Sequence, residues 1–126
     1  MKTSGKLLLI DTTGVQLLVA LITKDGMQTR TNDDQRRHSE SLNDIVGDWV
    51  QIADAFAVVT GPGSWTGSRV GVVAVKAWAF ATGKPVIALT GGIDGAWEKF
   101  QKKEFTQIKN LAPKYDAEFK VTLKNS

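Results

Sequence analysis

Asp11, Thr12, Thr13 and Gly14 follow the apolar run Lys6–Ile10. A carboxylate at a strand end, with hydroxyls and a glycine behind it, can hold magnesium through water while turn amides cup phosphate oxygens. The same residues also build an ordinary turn in which the aspartate accepts bonds from its own backbone. The turn reading is preferred. Hydrolysis on such a scaffold needs a second acid on a neighbouring strand, and Val15–Thr23 and Ala55–Thr60 contain none. A second candidate is the run Gly61-Pro62-Gly63-Ser64-Trp65-Thr66-Gly67-Ser68-Arg69. Gly61, Gly63, Ser64 and Thr66 could offer amides and hydroxyls to an anion at a helix start, with Arg69 nearby. It is not a phosphate-binding P-loop, because Gly67 is followed by Ser68 and Arg69 rather than by lysine and a hydroxyl residue. Close backbone approach to a neighbouring strand or subunit explains the glycines equally well. His38 is the single histidine and cysteine is absent, so neither a thiolate zinc site nor a Ser-His-Asp constellation can be assembled from spacing. No catalytic residue, metal ligand or cofactor is assigned.

These candidates need elements to position them. Lys6–Thr12 reads as a buried central strand with Asp11 at its carboxyl end. Val15–Thr23 and Met27–Asn32 read as two further strands, joined by the Lys24-Asp25-Gly26 turn signal, the third at the sheet edge. From Ser39 the period changes: Leu42, Ile45, Val46, Trp49 and Val50 fall on one face of a helix. Gly47 weakens that helix by about 1 kcal/mol relative to alanine, and is read as a point where another helix comes close. Ala55–Thr60 is a short strand, the glycine-rich turn follows, a helix runs to about Ala81, and Pro85–Leu89 is the next strand. Strand, crossover helix and strand imply a right-handed parallel pair. Trp97, Phe100, Glu104, Phe105 and Ile108 suggest a lysine-rich amphipathic helix over 94–110, and the alternation from Tyr115 to Leu123 a short terminal strand or extended tail. The lysines interleave with acids, which reads as a solvated surface rather than an RNA contact.

The order is βββαβαβα. This α/β pattern, three antiparallel strands followed by two parallel ones with helices, is that of a ribonuclease-H-like sheet, the half-unit of actin-like ATPases. Residues 1–92 form that lobe, and 93–126 a helix and tail packing on the same domain.

The helix of residues 66–81 is apolar nearly all round. Val70, Val73, Ala74, Ala77, Trp78, Phe80 and Ala81 make one broad face and Gly71, Val72, Val75 and Ala79 the other, while Arg69 and Lys76 share one side. Such a helix is buried on both sides. One side meets the chain's own sheet; the other meets either a partner subunit or more of the same domain. Trp65, set between glycines, is exposed unless something covers it.

Bulk properties permit this and narrow the rest. The chain has 126 residues, one domain's worth, with 42% hydrophobic and 23% charged residues and a net charge of +3. That balance neither demands nor excludes contact with nucleic acid. No apolar run approaches the roughly 20 residues of a membrane span. The opening residues make a poor signal peptide, so a cytoplasmic location is expected.

Ile10-Asp11-Thr12-Thr13, the segment Arg36-Arg37-His38-Ser39-Glu40, and above all Ala55–Thr90 with its Gly-Pro-Gly-Ser-Trp-Thr-Gly-Ser-Arg loop resemble the TsaB (YeaZ-like) family. Trp65 stands where the family has phenylalanine. The resemblance covers roughly the first 90 residues, and the family's second lobe has no counterpart in 93–126, so a compact single-lobed version is expected. The resemblance implies a non-catalytic subunit of the machinery that installs threonylcarbamoyl on tRNA adenosine. Such a subunit pairs with a catalytic TsaD-like subunit, meets a TsaE-like ATPase and tRNA only through that complex, and self-associates through the same helices. It also implies that the pairing surface lies on the two helices of this lobe: Leu42, Ile45, Val46 and Trp49 on the first, with Trp65, Arg69, Val72, Val75, Lys76 and Ala79 on or before the second. On this reading Val72→Glu or Val75→Glu folds but no longer pairs. The alternative is a small nucleotide- or phosphate-binding enzyme of actin-like ancestry, using Asp11, Thr12, Thr13, Ser64, Thr66 and Arg69.

Overall fold

The computed structural model describes residues 5–14, 16–32, 38–62 and 65–112, with only the backbone for 38–41 and 65–68. Two apolar runs and a third, polar one open the sheet. Strand β1 (Leu7–Asp11) pairs antiparallel with β2 (Leu17–Thr23), which pairs antiparallel with β3 (Gly26–Asn32). Strand β4 (Ala55–Val59) then lies parallel to β1, and β5 (Val86–Leu89) parallel to β4. The sheet order is β3-β2-β1-β4-β5. This is the ribonuclease-H-like arrangement, with the strands that are apolar on both faces at its centre.

Because side chains alternate along a strand, β1 feeds two cores. Leu8 and Ile10 join Val19, Phe56, Val58 and Val86 on one face; Leu7 and Leu9 join Ala20, Ala57, Val59 and Ile87 on the other. The first face is covered by α1 (His38–Val46), α2 (Trp49–Ile52) and α3 (Trp65–Thr82). The second is covered by α4 (Ala96–Gln101), whose Ala96, Trp97 and Phe100 pack there with Ile93.

Two helices differ from the periodic reading. The single helix expected from Ser39 to Val50 is two, because Gly47 adopts φ +50° and turns the chain between α1 and α2. Gly47 therefore serves as a helix stop, and the nearest atom to a side chain built there is Arg30 Nη1 at 3.6 Å, not another helix. Arg30 secures this corner from β3. Its Nη1 donates to the Ile45 carbonyl at 2.7 Å, satisfying an end of α1, and its guanidinium lies 3.7 Å from the centre of the Trp49 ring.

The helix expected over 94–110 ends at Gln101. Lys103 sits at φ 58° and breaks it. The reason is the sheet: Thr106 N–H donates to the Val86 carbonyl at 2.7 Å, and Thr106 Oγ1 accepts from Ala88 N–H at 3.0 Å. Two bonds on the β5 edge override local helical spacing. The chain then continues through a 3-10 turn, Ile108–Asn110, and buries Leu111 in the core on the face covered by α1, α2 and α3. The expected terminal strand Tyr115–Leu123 lies outside the described residues.

Helix α3 is seated by Gly71. An added Cβ would meet Thr12 Oγ1 at 2.9 Å, Val58 Cγ2 at 3.3 Å and Ile10 Cγ2 at 3.4 Å. The close approach is to the chain's own β1 and β4. Gly71→Ala is expected to cost about 1–3 kcal/mol despite alanine's better helix propensity, because those atoms are packed and cannot retreat. Urea unfolding at constant m-value measures it.

A candidate pairing surface on helices α1 and α3

The carboxyl ends of β1 and β4 hold the residues singled out for anion chemistry. Asp11 Oδ1 accepts from Thr13 N–H at 2.9 Å and from Thr13 Oγ1 at 2.6 Å. Thr12 is fully buried, and its hydroxyl accepts from Gly71 N–H at 3.0 Å. Thr60 Oγ1 donates to the Leu89 carbonyl at 3.0 Å, and Gly61 C=O accepts from Gly91 N–H at 2.7 Å. One oxygen of Asp11 and the Thr12 and Thr60 hydroxyls thus hold the turn, α3 and the β4–β5 loops together. Gly63 and Ser64 lie outside the described residues, as do the side chains of Trp65, Thr66 and His38. Among the described residues no group of three His, Cys, Asp or Glu side chains comes together.

The helices tell more. Val72, Val75 and Ala79 are buried against the chain's own sheet. The expectation that they face a partner is corrected: they are the inner side of α3, set there by Gly71. Leu42, Val46 and Trp49 are likewise in this core, with Ile45 half-buried at its margin. The opposite side of α3 is the open one. Val73 is 60% exposed and Phe80 87% exposed, Ala77 and Arg69 are exposed, and Lys76 is half-buried.

Between α1 and α3 runs an open groove of about 550 Å³, lined by Leu42, Asn43, Arg69, Val70, Val73, Ala74, Ala77 and Trp78. Six of these eight are apolar, with Arg69 and Asn43 the polar members. Trp78 is half-buried there, tilted against Phe56 with ring centroids 5.9 Å apart. An apolar groove beside an exposed valine and phenylalanine has the character of a protein-binding surface. Of the interface residues expected from sequence, Leu42 and Arg69 line this groove, while Val73, Ala77 and Phe80 were missed. The signal for them was the Arg69–Lys76 pair, which marks the flank turned away from the sheet.

Among the described residues no helix is long and apolar enough to cross a membrane.

Residues 32–92 match the family model for TsaD, the tRNA N6-adenosine threonylcarbamoyltransferase. Among solved structures the chain is similar to YeaZ from Pseudomonas aeruginosa, at 27% identity over 79% of this chain and 50% of that one, with a TM-score of 0.60. A fold likeness of TM-score 0.59, at 24% identity and the same coverage, links it to an uncharacterized protein with similarity to peptidase YEAZ from Pseudomonas aeruginosa. The chain thus spans about half the length of these solved proteins. No curated protein matches it. The glycine-rich loop leading into α3, the β3-β2-β1-β4-β5 sheet and these matches together make the chain similar to YeaZ over one lobe of that protein.

Proposed function

We propose that this chain is a non-catalytic pairing subunit in tRNA threonylcarbamoyladenosine formation, docking on a TsaD-type catalytic subunit through the outer side of α3 and the groove it shares with α1. The observation that carries the proposal is the exposed apolar side of α3, where Val73, Ala77 and Phe80 lie open beside the groove. An aromatic left 87% exposed on a regular helix gains about 2 kcal/mol or more when a partner covers it. Arg69 and Lys76, on the same flank, would steer and register the contact rather than supply its affinity.

In this reading a TsaE-like ATPase and tRNA are met only through the assembled complex, and the protein works in the cytoplasm. The engagement of Asp11 and Thr12 in holding the fold supports a structural role for the β1 turn over nucleotide binding. The test is co-expression of tagged chain with the TsaD-type subunit from the same cell, followed by size exclusion at micromolar concentration. Co-elution in a defined ratio is expected. Separate elution of the two, each folded, would end the proposal.

A further inference from the structure

We propose that the outer edge of β3, on which no other strand pairs among the described residues, is a second interaction surface, where a second copy of this chain pairs antiparallel with Thr29 opposite its own symmetry mate. The inference is independent of the α1–α3 groove. Strand β3 is the sheet's terminal strand, and Gly26–Thr31 are exposed. Exposed edges are ordinarily blunted by a bulge, a proline, or a solvent-facing charge. β3 has no bulge and no proline. Its register with β2 is unbroken from Gly26 to Asn32, and its sequence Gly-Met-Gln-Thr-Arg-Thr-Asn contains no proline. Its one charge, Arg30, is exposed but held on the α1 face by the Trp49 ring and the Ile45 carbonyl rather than along the edge.

The hairpin fixes which backbone groups face out. Thr23 and Gly26 flank a two-residue turn and exchange both backbone bonds, so every second pair along the ladder does the same. Gln28, Arg30 and Asn32 therefore point their N–H and C=O groups at β2, and Met27, Thr29 and Thr31 point theirs outward. A two-fold axis at Thr29 matches this outward set to itself. Thr29 meets Thr29, and Met27 meets Thr31 twice, giving three pairs that each exchange two bonds.

Side chains agree with that register. Within β3 Arg30 falls opposite Gln28, so no like charges meet between Gly26 and Asn32, and the threonines at the axis form a favourable cross-strand pair. Met27, 52% exposed and opposite the half-buried Ile22 on the face away from α1, gains cover from Thr31 of the other copy. Moving the axis to Arg30 leaves only two such pairs and sets Arg30 against Arg30. Moving it to Gln28 also leaves two.

Amide hydrogen exchange tests this residue by residue. Across a hundredfold rise in concentration, to about 1 mM, the amides of Met27, Thr29 and Thr31 are expected to slow at least about tenfold, while those of Gln28 and Arg30 stay slow throughout. Association through α3 would leave the three outward amides unchanged. Thr29→Lys sets two ammonium groups at the axis and should abolish the concentration dependence. An equimolar mixture of Thr29→Lys and Thr29→Glu should restore it. Concentration-independent exchange at Met27, Thr29 and Thr31 in the unaltered chain would overturn the proposal. So would protection that Thr29→Lys leaves intact.

Discussion

Val75→Glu is expected to leave little folded protein at neutral pH. Val75 is fully buried on the inner side of α3, among Val58, Val72 and Ala79 over the sheet. A glutamate there must either ionise without a partner or take up a proton. Holding it neutral at pH 7 costs about 4 kcal/mol, from an ordinary pKa near 4.3 at about 1.4 kcal/mol per unit. The longer side chain adds about 1–3 kcal/mol of overpacking. The sum rivals the whole stability of a domain this size, about 5–15 kcal/mol. The buried carboxyl binds its proton more tightly folded than unfolded. Destabilisation is therefore greatest above the folded pKa and eases as pH falls toward 4. Far-UV circular dichroism and urea unfolding between pH 7 and pH 5 measure both effects. A stable Val75→Glu chain at pH 7 would mean that α3 is not seated as described.

Val73→Glu, two residues away, should behave in the opposite way. Val73 is 60% exposed, so the variant is expected to keep its unfolding midpoint, with a change within about 0.5 kcal/mol. What it should lose is pairing. A carboxylate set into an apolar contact is stripped of water without a partner, and a loss of at least a hundredfold in affinity, about 3 kcal/mol, is expected. Titration calorimetry against the TsaD-type subunit measures it. Undiminished affinity in a folded Val73→Glu chain would place the contact elsewhere.

The contrast between these valines shows what residue patterning could and could not reveal. The strands were readable because β1 and β4 are continuous apolar runs and the Lys24-Asp25-Gly26 turn is compact; the element order pointed to the ribonuclease-H-like sheet with the third strand at its edge. The inner side of α3 was not readable, because a helix apolar nearly all round carries no periodic contrast between inside and outside. What decides its rotation is shape. Gly71 is the one residue that admits the Thr12 hydroxyl and the Val58 methyl, and this turns Val72, Val75 and Ala79 inward with it. The sequence grouped Gly71 with Val72, Val75 and Ala79 but did not show the surface that this side approaches. Bulk offers a similar hint, since the sheet side carries glycine, alanine and valine while Trp78 and Phe80 are left to the groove and to solvent. The end of α4 was hidden for another reason: the Thr106 bonds to β5 join residues distant in sequence, which helical spacing cannot register.

For the Asp11 turn, the structure agrees with the simpler sequence reading. An aspartate two residues before a threonine forms a local turn, and Asp11 Oδ1 takes both the amide and the hydroxyl of Thr13. Thr12 does what no pattern announced, tying the end of β1 to the second turn of α3.

Cysteine is absent from the chain, so a single thiol can be placed without background. The most direct test of pairing through the outer side of α3 is the labelling rate of Val73→Cys by a maleimide, alone and with excess TsaD-type subunit. The account predicts rapid labelling of the free chain and near-complete protection in the complex, with Thr90→Cys, exposed on the loop after β5, reacting equally in both. Equal labelling at position 73 in the free chain and in a complex shown to have formed would contradict it.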